Sequence, residues 1–278
     1  MTIEALAPPS PIEAPLPARE SYTSLTTYEG CPRRYAFRYV ERLPGDVPPG
    51  RFAFGSAVHR AFEAFVRERI RARAEGVPGP GLELLARTCD EVLERAGLEP
   101  VELAEMRAAA PPVLERFLRR EMASDASPVA VELGFGLDLA LPDDGGVIRF
   151  VGYLDRVDRA PDGSTAITDY KTGRPWDPAW VHADRQLTAY AYAADTGALR
   201  DPATGAVLPP ASRLSLYFAD DGSEIITSRT PADLAGFERD LVAMATSARR
   251  REFDPRPSQK RCRWCEYRGT CDAAAADS

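Results

Sequence analysis

The hydrophobic period of the chain changes at Pro128, and that change constrains the fold more than any other feature. Before it, apolar residues recur at helical spacing. Val58, Ala61, Phe62, Phe65 and Ile70 mark a stripe on a helix from about Gly55 to Arg73, with His59 beside it. Leu82, Leu85, Cys89 and Val92 mark a second stripe within a helical stretch over 82–123, split at Leu98-Glu99-Pro100, which makes Cys89 a core thiol. After Pro128, the residues Val129, Val131, Leu133, Phe135, Leu137, Leu139 and Leu141 alternate strictly, as a half-buried strand does, with Glu132 on the other face. Turns at Asp143-Asp144-Gly145-Gly146 and Pro161-Asp162-Gly163 return the chain as strands over Val147 to Asp158 and Thr165 to Lys171. A helix from about His182 to Ala194, strands at Arg213–Phe218 and Glu224–Ser228, and a helix opened by Thr230-Pro231 complete the pattern. Helices, then a strand meander, then helices and strands together imply a mixed α/β core with an N-terminal helical portion.

At the N-terminus, prolines 8, 9, 11, 15 and 17 predict an extended or disordered leader over 1–20. A helix over Leu25 to Val40 follows, carrying Tyr28, Tyr35, Phe37 and Tyr39 with Arg33, Arg34 and Arg38 interleaved, then a Pro/Gly-rich loop over 43–50. The expected organisation is one domain over 21–278: mainly helical at 21–128, the core sheet at 129–230, and a helix with a cysteine segment at 231–278. No apolar run is long enough to span a membrane and no secretory layout opens the chain, so a cytoplasmic protein is expected. The formal charge of −7 argues against nonspecific nucleic-acid binding by the whole surface. Local charge differs: Arg249 to Arg263 holds seven basic and two acidic residues, with Trp264 and Tyr267 adjoining.

Of the 35 basic residues only Lys171 and Lys260 are lysines, so each occupies a position worth asking about. In Asp169-Tyr170-Lys171, at a strand end, alternation turns Asp169 and Lys171 to one face. Asp155, in Gly152-Tyr153-Leu154-Asp155, lies on the preceding strand and falls opposite or diagonal to Asp169. Two carboxylates sharing a face with one ammonium are unfavourable unless something binds them, and a hard divalent cation is the natural partner. A lysine beside such an ion can polarise a water for phosphodiester hydrolysis, a role the wide, permanently charged guanidinium of Arg fills poorly. His182 fits no such pattern and reads as a surface residue or helix cap.

Five cysteines in a cytoplasmic setting argue against disulfides. Cys262-x-x-Cys265 and Cys271 offer three metal ligands at close spacing, and with no further cysteine or histidine nearby the fourth has to come from afar, Cys31 being the candidate. If it does, Arg33, Arg34 and Arg38 meet Arg261 and Arg263, forming a basic groove with aromatic rings suited to nucleic acid.

These segments together resemble the PD-(D/E)XK nuclease superfamily, and within it the RecB-type nuclease domain and its CRISPR-associated relatives. The resemblance runs in order through Ser21–Val40 with Cys31-Pro32, Gly55-x-x-x-His59, Glu132, Gly152–Asp158, Asp169–Gly173, Gln186-x-x-x-Tyr190 and the late cysteines. It implies a restriction-endonuclease-like core, a central mixed sheet flanked by helices. It implies that His59, Asp155, Asp169 and the backbone carbonyl of Tyr170 hold Mg²⁺ or Mn²⁺, that Lys171 positions the attacking water, and that Glu132, Gln186 and Tyr190 belong to the same site. It also implies a four-iron, four-sulfur cluster on Cys31, Cys262, Cys265 and Cys271, with Zn²⁺ as the alternative metal. The expected activity is hydrolysis of DNA, single-stranded by resemblance and by an exonuclease, in repair, recombination or CRISPR adaptation, with a helicase as a possible partner. The alternative is a catalytically idle DNA-binding subunit of a helicase–nuclease complex.

Overall fold

The computed structural model describes residues 14–46, 50, 52–142 and 145–274. Most of the leader expected over 1–20, part of the 43–50 loop and part of the turn at Asp143–Gly146 lie outside the described residues. The chain divides into two compact units, one of Met1–Val47, Gly136–Val151 and Glu238–Ser278, the other of Pro48–Phe135 and Gly152–Phe237. Six strands among the described residues make one mixed sheet: β1 (Arg19–Ser21), β2 (Ser127–Ala140), β3 (Val147–Arg159), β4 (Thr165–Lys171), β5 (Ala211–Phe218) and β6 (Glu224–Thr227). The order is β1-β3-β4-β5-β6, with β2 paired to β3. The β1–β3 and β4–β5 pairs are parallel, and the β3–β4 and β5–β6 pairs antiparallel. The mixed α/β, restriction-endonuclease-like architecture expected from the sequence is the architecture found. No helix among the described residues is long and apolar enough to cross a membrane.

In the first unit, the helix expected over Leu25 to Val40 is interrupted. The chain forms α1 (Tyr22–Gly30), then α2 (Pro32–Tyr35) running into a π-helical turn over Ala36–Val40. Cys31 between them is extended, with φ −161° and ψ 109°. Proline forces this break: its ring disfavours the helical conformation for the residue before it and is accommodated at the first position of a new helix. Tyr28, Tyr35, Val40 and Ala248 form this unit's small core, with Ala14, Leu16 and Phe253 against it. Glu20 is buried in it, accepting hydrogen bonds from Ser24 Oγ and the Tyr35 hydroxyl. Burial, set against those two hydrogen bonds and the Arg249 charge, holds the Glu20 carboxyl above its ordinary range.

In the second unit, α3 (Ala53–Glu75), α4 (Leu82–Glu94) and α5 (Pro100–Ala123) bury the stripes read from the sequence. Pro100 opens α5, and Glu99 with Glu102 closes a reciprocal cap around its first turn, so the split expected at 98–100 is real. Phe62 stacks on Phe117 with ring centroids 3.7 Å apart, and Phe65, Leu85, Cys89, Leu93 and Leu114 complete the core. Cys89 is a core thiol as expected, pushed up to about 11 by burial. Beneath α5 lies a buried ion network. Arg156 grips both Asp158 oxygens at 2.7 and 2.8 Å and also binds Glu121, while Arg69 and Arg120 hold the same Glu121 carboxylate.

Two sequence expectations change in detail. The helix expected from His182 begins at Arg185 as α7 (Arg185–Asp195), capped by the Asp184 side chain accepting from Leu187 N–H at 2.8 Å. His182 instead ends a separate short helix, α6 (Pro178–His182), exposed, with Nδ1 3.1 Å from Thr227 Oγ1. The alternation over 129–141 holds from Val131 onward, with the odd-numbered residues buried or half-buried and Glu132, Gly134, Asp138 and Ala140 exposed, and it fails only before that, where Ala130 is buried out of phase. Glu132 keeps its outward place with a φ of +48°. The helix after Thr230 is α8 (Pro231–Arg249), and α9 (Gln259–Cys262) precedes the last cysteines.

Candidate active site and cysteine-lined cavity

Every candidate at the Asp169–Lys171 centre lies in the second unit, and together they come from five elements, α3, β2, β3, β4 and α7. The antiparallel register pairs Arg156 with Thr168, which brings Asp155 of β3 and Asp169 of β4 to neighbouring positions on one face. Tyr170 points the other way and packs edge-on against Phe62 and Phe117, so the strand end is anchored by its apolar residue while its polar neighbours face the site. His59 enters from α3, Gln186 and Tyr190 from α7, and Glu132 from β2.

Two glycines make these approaches possible. A Cβ on Gly55 would meet Thr172 Oγ1 at 2.9 Å, so the bare backbone lets the first turn of α3, and His59 one turn on, lie against the end of β4. A Cβ on Gly152 would run into the Phe135 ring at 2.5 Å, so only glycine lets β3 pass beneath that side chain.

Around Lys171 three hydrogen bonds and one ion pair close into a ring. Lys171 Nζ donates to Gln186 Oε1 at 2.9 Å, and Gln186 Nε2 donates to the Tyr190 hydroxyl at 2.7 Å. That hydroxyl donates to Asp169 Oδ1 at 3.1 Å, while Asp169 Oδ2 stands 2.6 Å from Lys171 Nζ. The i, i+4 spacing of Gln186 and Tyr190 on α7 presents both polar ends to one strand end. Burial, reinforced by the Asp169 and Asp155 carboxylates, keeps the Tyr190 phenol protonated far above its ordinary range, so it acts as a donor.

Asp155 is outside that ring. Its Oδ2 accepts the Tyr170 backbone N–H at 2.8 Å and lies 3.6 Å from His59 Nδ1. Burial, and after it the Asp169 carboxylate, pushes the Asp155 carboxyl up to about 8. Burial also lowers His59, with Lys171 adding to the effect, while Asp169 and a hydrogen bond to the Tyr170 backbone oppose it. The imidazole is therefore biased toward its neutral form, in which one ring nitrogen keeps a lone pair. Glu132 is raised by desolvation and by the Glu63 and Asp169 charges. A glutamate with φ near +48° is strained in a way that glycine or asparagine would not be, and here the strained residue is exposed while still feeling the charges of Glu63 and Asp169.

The donor chemistry suits a divalent cation. Asp169 is 2% exposed, and its Oδ2 accepts no hydrogen bond despite the nearby ammonium, so that contact is one of charge. Asp155 and Asp169 share one buried face with a single lysine and a neutral imidazole, and a hard cation is what would relieve the excess of negative charge. As placed, no three His, Cys, Asp or Glu side chains among the described residues stand close enough to hold an ion, so the ligands would have to draw together round it.

The four cysteines singled out in the sequence lie in the first unit and line a single cavity of about 310 Å³. None is in a disulfide. Cys31 Sγ accepts the Arg256 backbone N–H at 3.4 Å. Burial raises the Cys265 thiol, with Glu266 and Cys31 adding smaller effects. Arg34, Arg256, Lys260, Arg261 and Arg268 stand round the same cavity. Of the arginines read as nucleic-acid contacts, Arg33 is paired with Glu41, and Arg34 and Arg38 share Glu266. Arg263 stacks over Trp264, and Arg261 donates to the Arg256 carbonyl. The rings expected to serve this groove are divided: Trp264 is exposed, whereas Tyr35 and Tyr267 are buried and cannot offer a face to a ligand.

Sequence reasoning passed over Trp176 and Trp180. The available signal was compositional, since two of the chain's three tryptophans fall within ten residues of Lys171.

No curated protein matches the chain. Among solved structures, the crystal structure of SSO0001 is similar at 16% sequence identity and a TM-score of 0.38, over 81% of this chain and 96% of that one. The sequence profile of the PD-(D/E)XK nuclease superfamily matches residues 19–272, a span that includes both carboxylate strands, Lys171 and all four cavity cysteines. The chain belongs to the PD-(D/E)XK nuclease superfamily.

Proposed function

We propose that this protein is a Mg²⁺- or Mn²⁺-dependent deoxyribonuclease of the RecB type, acting as an exonuclease on single-stranded DNA. The observation that carries the reading is the pairing of Asp155, held well above the carboxylate range, with Asp169 and one lysine on a shared buried face. His59, Asp155, Asp169 and the Tyr170 carbonyl would hold the cation. The ion would supply Lewis-acid charge at the phosphodiester and lower the cost of deprotonating water.

The protein's own groups do the rest. Gln186 and Tyr190 hold the Lys171 ammonium and the Asp169 carboxylate beside each other. Lys171 directs a water toward phosphorus and balances the charge that develops there. The water oxygen forms the new P–O bond in line with the departing 3′-oxygen, whose bond to phosphorus breaks and which takes a proton from solvent, leaving a 5′-phosphate and a 3′-hydroxyl. Glu132 adds a carboxylate able to accept the water's proton.

The four cysteines are proposed to bind a four-iron, four-sulfur cluster, supported by their sharing one cavity; Zn²⁺ is the alternative. Such a cluster would tie α1–α2 to the segment after α9 within the first unit. The biological setting is proposed as DNA repair, recombination or CRISPR adaptation, with a helicase supplying unwound strands.

The test is cleavage of end-labelled single-stranded DNA by anaerobically purified protein with Mn²⁺, beside Asp169→Ala and Lys171→Ala. Cleavage lost in both variants supports the reading. DNA binding without cleavage by the unsubstituted chain overturns it in favour of a non-catalytic subunit.

A further inference from the structure

The segment that follows the Asp169–Lys171 strand end has no part in the reading above. From Arg174 to Trp180 every residue is exposed, in the order Arg174-Pro175-Trp176-Asp177-Pro178-Ala179-Trp180. Two prolines limit its backbone freedom, and Asp177 caps α6 by accepting the Ala179 N–H at 2.8 Å. The segment is therefore stiff as well as exposed.

Trp176 is held in a defined place. It meets the buried Phe218 ring edge to face, with centroids 6.0 Å apart at 62°, and Lys171 Nζ lies over the indole 5.7 Å from its centroid. The ring is still 37% exposed. An indole held against Phe218, more than a third exposed and adjoining the candidate catalytic ammonium, offers its uncovered part to a ligand held at that ammonium. Arg174, two residues earlier, adds an exposed cation to the same segment.

Resting on the nuclease reading, we propose that Trp176 is a stacking platform for the nucleobase adjoining the scissile phosphate. A base can lie flat on a side chain only when it is unstacked from its neighbours, so the platform selects single-stranded over duplex nucleic acid. It tolerates any sequence, because every base has a π-face. Nucleic acid fits better than an apolar protein partner, because the ring is flanked by Lys171 and Arg174, which suit a polyanion.

The experiment uses the full chain and two substitutions. Trp176→Leu keeps apolar cover over Phe218 but removes the π-face; Trp176→Phe keeps both. Binding of labelled single-stranded oligonucleotides is measured by fluorescence anisotropy in EDTA, and cleavage separately with Mn²⁺. A series of oligonucleotides, each lacking one base, locates the stacked position. Trp176→Leu is expected to weaken single-strand binding about tenfold, within the range base–aromatic stacking supports. It should also lose the unsubstituted chain's sensitivity to the missing base beside the cleaved bond, and Trp176→Phe should restore most of both. If the unsubstituted chain cleaves and Trp176→Leu binds and cleaves equally well, the platform is wrong while the nuclease reading survives. If the unsubstituted chain does not cleave, both fall.

Discussion

Asp155→Asn should make the metal-free protein more stable at neutral and alkaline pH, although it alters a residue at the centre of the candidate site. The Asp155 carboxyl is pushed up to about 8, against about 4 for an aspartate in an unfolded chain. Between those values the native protein keeps a proton that the unfolded chain releases. Stability therefore falls as pH rises through the window, at up to about 1.4 kcal/mol per unit. Below about pH 4 the cost vanishes, and above about pH 8 it levels off at a ceiling of about 6 kcal/mol. Asparagine does not ionise, and its carbonyl oxygen can still accept the Tyr170 N–H, so the variant avoids the cost without losing the hydrogen bond.

Urea unfolding in EDTA, followed by tryptophan fluorescence from pH 4 to 9, measures the difference directly. The two proteins should match near pH 4 and diverge toward pH 8, with the variant ahead by about 2 kcal/mol or more. Mn²⁺ should then raise the stability of the unsubstituted protein far more than that of the variant. Parallel stability curves across the pH range, or a variant less stable at pH 8, would refute the claim that ionising Asp155 in the folded protein goes uncompensated.

Glu132→Gly separates strain from chemistry: the φ of +48° suits glycine, so folding stability should rise by up to about 1 kcal/mol in chemical denaturation while cleavage falls. Glu121→Ala should cost about 3–5 kcal/mol by the same measurement, because it leaves the buried Arg156 without one of its two carboxylate partners and takes a carboxylate from Arg69 and from Arg120, which keeps Glu224. Cys31→Ser should lower iron content per chain and bring the thermal midpoint down; full iron loading with an unchanged midpoint would remove Cys31 from the cavity's proposed cluster.

Much of the fold is legible because it follows from local periodicity. The 3.6-residue stripes of α3, α4 and α5 bury the residues they mark, and the alternating segments become β2, β3 and β4. Two-residue alternation is also what turns Asp169 and Lys171 to one face and makes Asp155 their neighbour once β3 and β4 pair. The i, i+4 relation of Gln186 and Tyr190 is local in the same sense. The failures are local as well. The helix over Leu25–Val40 breaks at Cys31 because Pro32 constrains its predecessor, and α7 starts at Arg185 because Asp184 offers a cap that His182 cannot.

Other features depend on distance in three dimensions and have no linear signature. The ring from Lys171 through Gln186 and Tyr190 to Asp169 closes only when α7 lies along the end of β4. His59 reaches Asp155 because Gly55 lets α3 approach Thr172. The strained backbone at Glu132 and the burial of Arg156 against Glu121 and Asp158 come from packing, which overrides local backbone preference and the preference of charge for water. The raised Asp155 carboxyl and the placing of Trp176 beside Lys171 have the same origin. Periodicity decides which residues share a face, but only tertiary packing decides which faces exclude water, and exclusion of water is what gives a shared face its electrostatic character.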